Sequence, residues 1–118
     1  MHDIVDLAMT PYCYKAQVVS VYDGDTITAV VDLGFSVKMK IKVRLAGINA
    51  PEIRGKQRQE GLKTRDFLRS LILDKEVIIK TQKDKKGKYG RYIGVIYFED
   101  KNVNDLLVEN KLAEKKEY

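Results

Sequence analysis

Apolar and polar positions alternate in three successive runs in the first half of the chain and in two more later on. Residues 16–22 carry Val18, Val19 and Val21 and stop at Asp23-Gly24, a turn signal. Residues 26–31 form a second β-branched run, closed by Asp32-Leu33-Gly34. Residues 37–45 alternate almost without fault: Val37, Met39, Ile41, Val43 and Leu45 share one face, and Lys38, Lys40, Lys42 and Arg44 share the other. The period then changes. Leu62, Phe67, Leu68, Leu71 and Ile72 fall on one stripe of a helix, leaving Lys63, Arg65, Asp66 and Arg69 outside it as solubilising charges. Residues 76–80 read as a fourth strand and 92–98 as a fifth. Residues 103–113 read as a second amphipathic helix with Val103, Leu106, Leu107 and Leu112 inward, and Glu114 to Glu117 as a frayed, charged tail.

Three strands, a helix, two strands and a helix predict a mainly β, α+β fold. The order fits a five-stranded Greek-key barrel of the oligonucleotide-binding (OB) type with two or three helices. A chain of 118 residues has room for one core. Residues 1–13 are expected as an N-terminal arm, in which Ile4, Leu7 and Ala8 offer one helical turn before Pro11, and residues 14–118 as the single domain.

Charge and composition narrow the chemistry. A formal charge of +5 makes a polyanionic partner plausible without identifying it. Cys13 is the only cysteine and His2 the only histidine, which removes intramolecular disulfides, cysteine zinc sites and histidine general catalysis. Any bound metal should be a hard cation held by oxygen. No apolar run approaches a membrane span and no leader pattern opens the chain, so the expectation is a cytoplasmic, monomeric protein with no membrane or protein partner.

Polar clusters interrupt the strand pattern at three places: Asp23-Gly24-Asp25-Thr26, residues 44–52 from Arg44 to Glu52, and Lys88-Tyr89-Gly90-Arg91. Taken singly, an Asp-Gly-Asp turn is a hairpin turn and a strand-end arginine a solvated charge. Taken together they hold what phosphodiester cleavage requires. Asp25 and Glu52 are carboxylates, Asn49 has an amide oxygen, and Arg44 and Arg91 are permanently charged forks that can grip two phosphate oxygens at once.

These stretches resemble the staphylococcal nuclease (thermonuclease) family over roughly residues 14–113. The similarity runs through Val21-Tyr22-Asp23-Gly24-Asp25-Thr26, through residues 43–52, through Lys88-Tyr89-Gly90-Arg91, and on to Val103-Asn104-Asp105-Leu106-Leu107-Val108. The resemblance implies an endonuclease that depends on one calcium ion, hydrolyses single-stranded DNA and RNA, and leaves 3′-phosphate ends. In that reading Asp25, Asn49 and the Ala50 carbonyl bind the metal, with Asp23 helping through water. Glu52 is the base, Arg44 and Arg91 clamp the scissile phosphate, and Lys88 and Tyr89 contact the substrate's terminal phosphate.

The chain departs from the family at three points. Asn49 stands where the best-known member has aspartate, which removes one negative charge and should weaken calcium. Ala50 replaces a threonine whose contribution is mainly its carbonyl. The prototype's third helix and its stacking tyrosines have no counterpart here, unless Tyr118 serves as such a ring. The competing reading is a weak or inactive domain of this fold that binds single-stranded nucleic acid. Against it, a pure binder has no use for two carboxylates facing phosphate. Lys38, Lys40 and Lys42 are either a solvated face or a phosphate-tracking one, and the run Lys83, Lys85, Lys86 likewise.

Overall fold

The structure, a computed structural model, describes residues 12–86 and 90–116, with the side chains of 83–86 excepted. The expected arm (apart from its last two residues), Lys88, Tyr89 and Tyr118 therefore lie outside the described residues.

The predicted strands form and lengthen. β1 is Cys13–Asp23, β2 Thr26–Asp32 and β3 Lys38–Leu45. Two-residue β4, Ile48–Asn49, leads through a 3-10 turn at Gly55–Gln57 into helix α1, Arg58–Ile72. β5 is Glu76–Lys86, six residues longer than the 76–80 run, and β6 is Tyr92–Phe98. β7, Lys101–Asn102, precedes helix α2, Val103–Glu109, and β8 is Glu114–Lys115.

Antiparallel pairing runs β3-β2-β1-β5-β6, and a parallel pairing of β6 with β3 closes the five strands into a barrel. The closing contact is short: Val43 lies beside Tyr92, Arg44 beside Ile93 and Leu45 beside Gly94. Ile27, Leu45, Ile79, Ile96, Leu68, Ile72 and Leu107 are fully buried, so one core is shared by the barrel and both helices.

Two irregularities in β1 set which side chains face that core. Val18 pairs with Ala29 and Ser20 with Thr28, so Val19 is an extra residue; Val21 pairs with Ile27 and Asp23 with Thr26, so Tyr22 is another. Each bulge reverses the alternation. Ala16, Val18 and Val21 are therefore all buried, whereas Val19, Ser20 and Tyr22 are exposed. The carbonyl of Val21 accepts Nε and Nη2 of Arg69 at 3.3 and 3.0 Å. Arg69 is thus a strut between α1 and β1, not the solubilising charge its place on the helix predicts.

Other expectations are corrected by the closed barrel. Val37 and Met39 stay 51% and 43% exposed, because the β3–β6 pairing reaches only as far back as Val43; Met39 keeps the face of Ile41 and Val43 and lines an apolar cleft with Val31 and Ile79. With Leu33 and Phe35, Val37 and Met39 form an apolar tip at the end remote from the β1–β2 turn. α2 ends at Glu109, four residues earlier than predicted, after an N-cap in which Asn102 Oδ1 accepts the Asp105 N–H at 3.0 Å. Glu114 and Lys115 are not fraying tail: they pair with Asn49 and Ile48, and the Lys116 N–H donates to the Gly47 carbonyl at 2.8 Å.

Candidate active site

At the end of the barrel where β1 turns into β2, four separate pieces of sequence meet. The first is the turn itself. Asp23 Oδ1 accepts the Asp25 N–H at 3.1 Å, an Asx turn that fixes both carboxylates. Gly24 lets the turn pack down, because a Cβ there would lie 2.7 Å from that of Ala50 and against the Thr64 methyl of α1. Thr64 is itself buried and donates its hydroxyl to the Leu112 carbonyl at 2.7 Å, tying α1 to the segment after α2.

Asp25 organises the rest. It is buried, and each oxygen has a partner. Oδ2 accepts the main-chain N–H of Ala50 at 3.0 Å and lies 3.4 Å from Nη1 of Arg44. Oδ1 accepts the Thr26 hydroxyl at 3.3 Å. The same hydroxyl oxygen accepts Nη1 of Arg91 at 3.2 Å, so Arg91, Thr26 and Asp25 form one chain of hydrogen bonds. Thr26 is also the cross-strand partner of Arg44. The two arginines, 47 positions apart, are thereby held on either side of one threonine, whose role the sequence does not advertise.

Arg44 bonds its neighbourhood further: Nη1 donates to the Leu45 carbonyl at 2.9 Å and Nη2 to Oδ1 of Asn49 at 3.4 Å. That contact orients the Asn49 amide with its oxygen towards the arginine. Asn49 is exposed, and its backbone is held by the pairing with Glu114. Buried Asn104 of α2 fastens the adjoining turn, its Nδ2 donating to the carbonyls of Ala46 and Gly94 at 2.8 and 3.2 Å. Glu52 follows on the loop, its side chain exposed. Its main chain abuts Gly61 of α1 so closely that a Cβ on Gly61 would overlap the Glu52 carbonyl.

The structure thus brings together Asp23, Asp25, Arg44, Asn49 and Arg91, with Ala50 bonded to Asp25 and Glu52 on the adjoining loop. Thr26, Thr64, Gly61, Asn104 and Glu114 are the supporting residues that sequence reasoning misses. Thr26 stands in the first polar cluster and Thr64 on the helix, but the task each performs depends on a partner far along the chain, Arg91 and Leu112.

The electrostatics are uneven. Burial, and then the neighbouring Asp25 charge, raise the Asp23 carboxyl from 3.8 to about 6, with Arg44 and the Asp25 N–H opposing the rise. Two carboxylates and an amide oxygen are donors of the kind a hard, oxygen-seeking cation takes, and Arg44, 3.4 Å from both Asp25 Oδ2 and Asn49 Oδ1, would share them with it. Among the described residues no three His, Cys, Asp or Glu side chains cluster as ligands, so such an ion would be held by few charges. No helix among the described residues is long and apolar enough to cross a membrane.

The chain is similar to known proteins. The family described as staphylococcal nuclease homologue matches residues 42–118. An uncharacterised endonuclease of Haemophilus influenzae is 35% identical over 97 residues, covering 82% of this chain and 49% of that protein. Protein ParB of Escherichia coli is 31% identical over 108 residues, covering 84% of this chain and 55% of its own length. The chain thus spans about half the length of the curated relatives it matches.

Proposed function

The chain belongs to the staphylococcal nuclease family, and on that premise we propose that it is a calcium-dependent endonuclease that hydrolyses phosphodiester bonds of DNA and RNA and leaves 3′-phosphate ends. The observation that carries this reading is the hydrogen-bonded chain from Arg91 through Thr26 to Asp25, with Arg44 on the far oxygen of the same carboxylate. It joins two phosphate-gripping forks to a buried acid beside a loop that carries a second, exposed acid.

Asp25, the Asn49 amide oxygen and the Ala50 carbonyl would hold the calcium ion, with Asp23 reaching it through water. When bound, the ion supplies positive charge against the phosphate and a place for it beside the attacking water. The remaining work belongs to side chains. Arg44 and Arg91 hold the non-bridging oxygens and oppose the charge that grows on them as phosphorus becomes five-coordinate. Glu52, free in solvent to approach the substrate, takes a proton from water as its oxygen bonds to phosphorus. The bond from phosphorus to the 5′-oxygen breaks, that oxygen regains a proton from solvent, and the phosphate stays on the 3′ side.

The test is direct. End-labelled single-stranded DNA and RNA are incubated with the protein in calcium, in magnesium and in chelator, and product ends are typed by their sensitivity to phosphatase. Calcium-dependent cutting that is lost in Glu52→Gln and Arg91→Ala, with 3′-phosphate products, is the expected result. Salt-sensitive binding with no cutting at any calcium level would instead favour a binding domain, the reading that Asn49 supports.

A further inference from the structure

A cleft of about 370 Å³ runs out from Asp23, Thr26 and Arg91 of the proposed site over the outer face of β1, β2 and β3. Ser20, Thr28 and Lys42 are successive cross-strand partners and form one row across it. Tyr22 lies two residues beyond Ser20, and Thr26 and Arg91 close the end nearest the proposed site. We infer that this cleft is a subsite for the nucleotide adjoining the scissile phosphate, with the base stacked on Tyr22 and the neighbouring phosphate on Lys42. The inference rests on the nuclease reading above for the position of the scissile phosphate.

Three observations carry it. Tyr22 is the extra residue of a bulge and is 52% exposed, while the preceding Val21 is buried. An aromatic side chain turned into water beside a phosphate clamp contributes little to the core and presents a free face for stacking. Next, Lys42 and Arg44 lie two residues apart on one strand, on the same face and ~6.7 Å apart along it, close to the step between phosphates of an extended single strand. Finally, the lysines of β3 are not equivalent. Lys38 is paired across the ladder with Asp32, whereas Lys42 faces Thr28 and forms no ion pair among the described residues. Two cations, Lys42 and Arg91, line the cleft against one carboxylate, Asp23.

A base can lie on Tyr22 only if it is unpaired, so the subsite selects single strands over duplex. Lys42 adds charge without reading sequence, so the preference is for strandedness and not for base identity.

The test uses fluorescein-labelled oligothymidylates from dinucleotide to octanucleotide. Binding is measured by anisotropy to the Glu52→Gln protein in calcium over a range of salt, and cleavage is followed with the protein carrying Glu52. Added to the Glu52→Gln background, Tyr22→Ala should weaken octanucleotide binding by about five- to a hundredfold and shrink the gain on lengthening, with Tyr22→Phe restoring it. Lys42→Ala should lower the slope of log K against log salt by about 0.7, which Tyr22→Ala leaves as it was. In cleavage both changes should raise KM more than they lower kcat, and a hairpin duplex should compete poorly. Variants that bind and cut like the parent protein would overturn the subsite while leaving the nuclease reading intact. The two binding signatures without any cutting by the unmodified protein would overturn the nuclease reading and support the subsite. No binding by the Glu52→Gln protein together with no cutting by the protein carrying Glu52 would overturn both.

Discussion

The main-chain N–H of Ala50 donates to Oδ2 of Asp25 at 3.0 Å, across 25 positions of sequence. One buried carboxylate thereby fixes the loop that carries Asn49 and Glu52 relative to the β1–β2 turn, while its ion pair with Arg44 fixes the clamp. Asp25→Ala would leave that N–H without its acceptor and Arg44 without its counter-charge. Denaturation in chelator should show a loss of about 1–3 kcal/mol, apart from any effect on calcium. The Asp23 carboxyl should also fall back towards its ordinary range, since a neighbouring charge that raises it is gone. Carboxyl titration by NMR reads that second effect.

Asp23 gives the metal-free protein a pH dependence of definite sign. Its carboxyl titrates at about 6 in the fold against an ordinary 3.8, so the folded chain binds more protons than the unfolded one between those values. The stability linked to this group is fully present below the lower value and is lost as pH rises through the upper one. In chelator, Asp23→Asn should flatten the decline in denaturation midpoint over that window. A decline of unchanged slope would show that Asp23 is not its source.

Glu52→Gln should reduce cleavage by ~10²- to 10⁴-fold, the usual range for a general base. Arg91→Ala should cost ~10³- to 10⁵-fold by analogy with arginines in phosphoryl transfer. Arg91→Lys should rescue little, because an ammonium cannot both donate to Thr26 and present a planar fork to phosphate. Single-turnover rates at saturating calcium check all three.

Asn49→Asp should tighten calcium, since it adds a charge to a sparsely charged donor set. It should also turn the 3.4 Å contact with Arg44 into an ion pair. Calorimetric titration of calcium into both proteins decides the matter, and equal affinities would show that residue 49 is not a ligand.

Gly61→Ala probes how the proposed base, Glu52, is positioned. The added methyl would collide with the Glu52 carbonyl and lie 2.8 Å from that of Pro51, so the loop must move. Overpacking of this kind costs about 1–3 kcal/mol, and a displacement near 1 Å can cost ~10²-fold in rate. A fall in kcat with calcium affinity preserved is the expected pattern.

How much of this was legible beforehand depends on the range of the interaction. The alternation of Val43 and Leu45 declared the core face of β3 correctly, because that part of the strand is paired on both sides. The same alternation did not tell that Val37 and Met39 stay exposed, since they continue past the point where β6 joins. At Val19 nothing local announces a bulge, and it is the bulge that sends Val21 inward and Tyr22 outward. The site's acids and arginines were visible by chemical type and spacing. Thr26 and Glu114 were not, since a hydroxyl between two charged groups and a two-residue strand acquire meaning only from partners elsewhere in the chain.

The ring closure has a consequence in time. Arg44 and Arg91 become neighbours only when β6 pairs with β3, a contact between segments some 49 positions apart and the last of the five-strand ring that synthesis makes available. Long-range pairings of this kind are slow to form because loop closure precedes their reward. A chain emerging from the ribosome can therefore build the β1–β2–β3 meander and the Asp25 turn while still lacking its second arginine. The clamp is completed only once β6 has been made and docked, so any capacity to cut nucleic acid is withheld until synthesis has moved past the messenger for that strand.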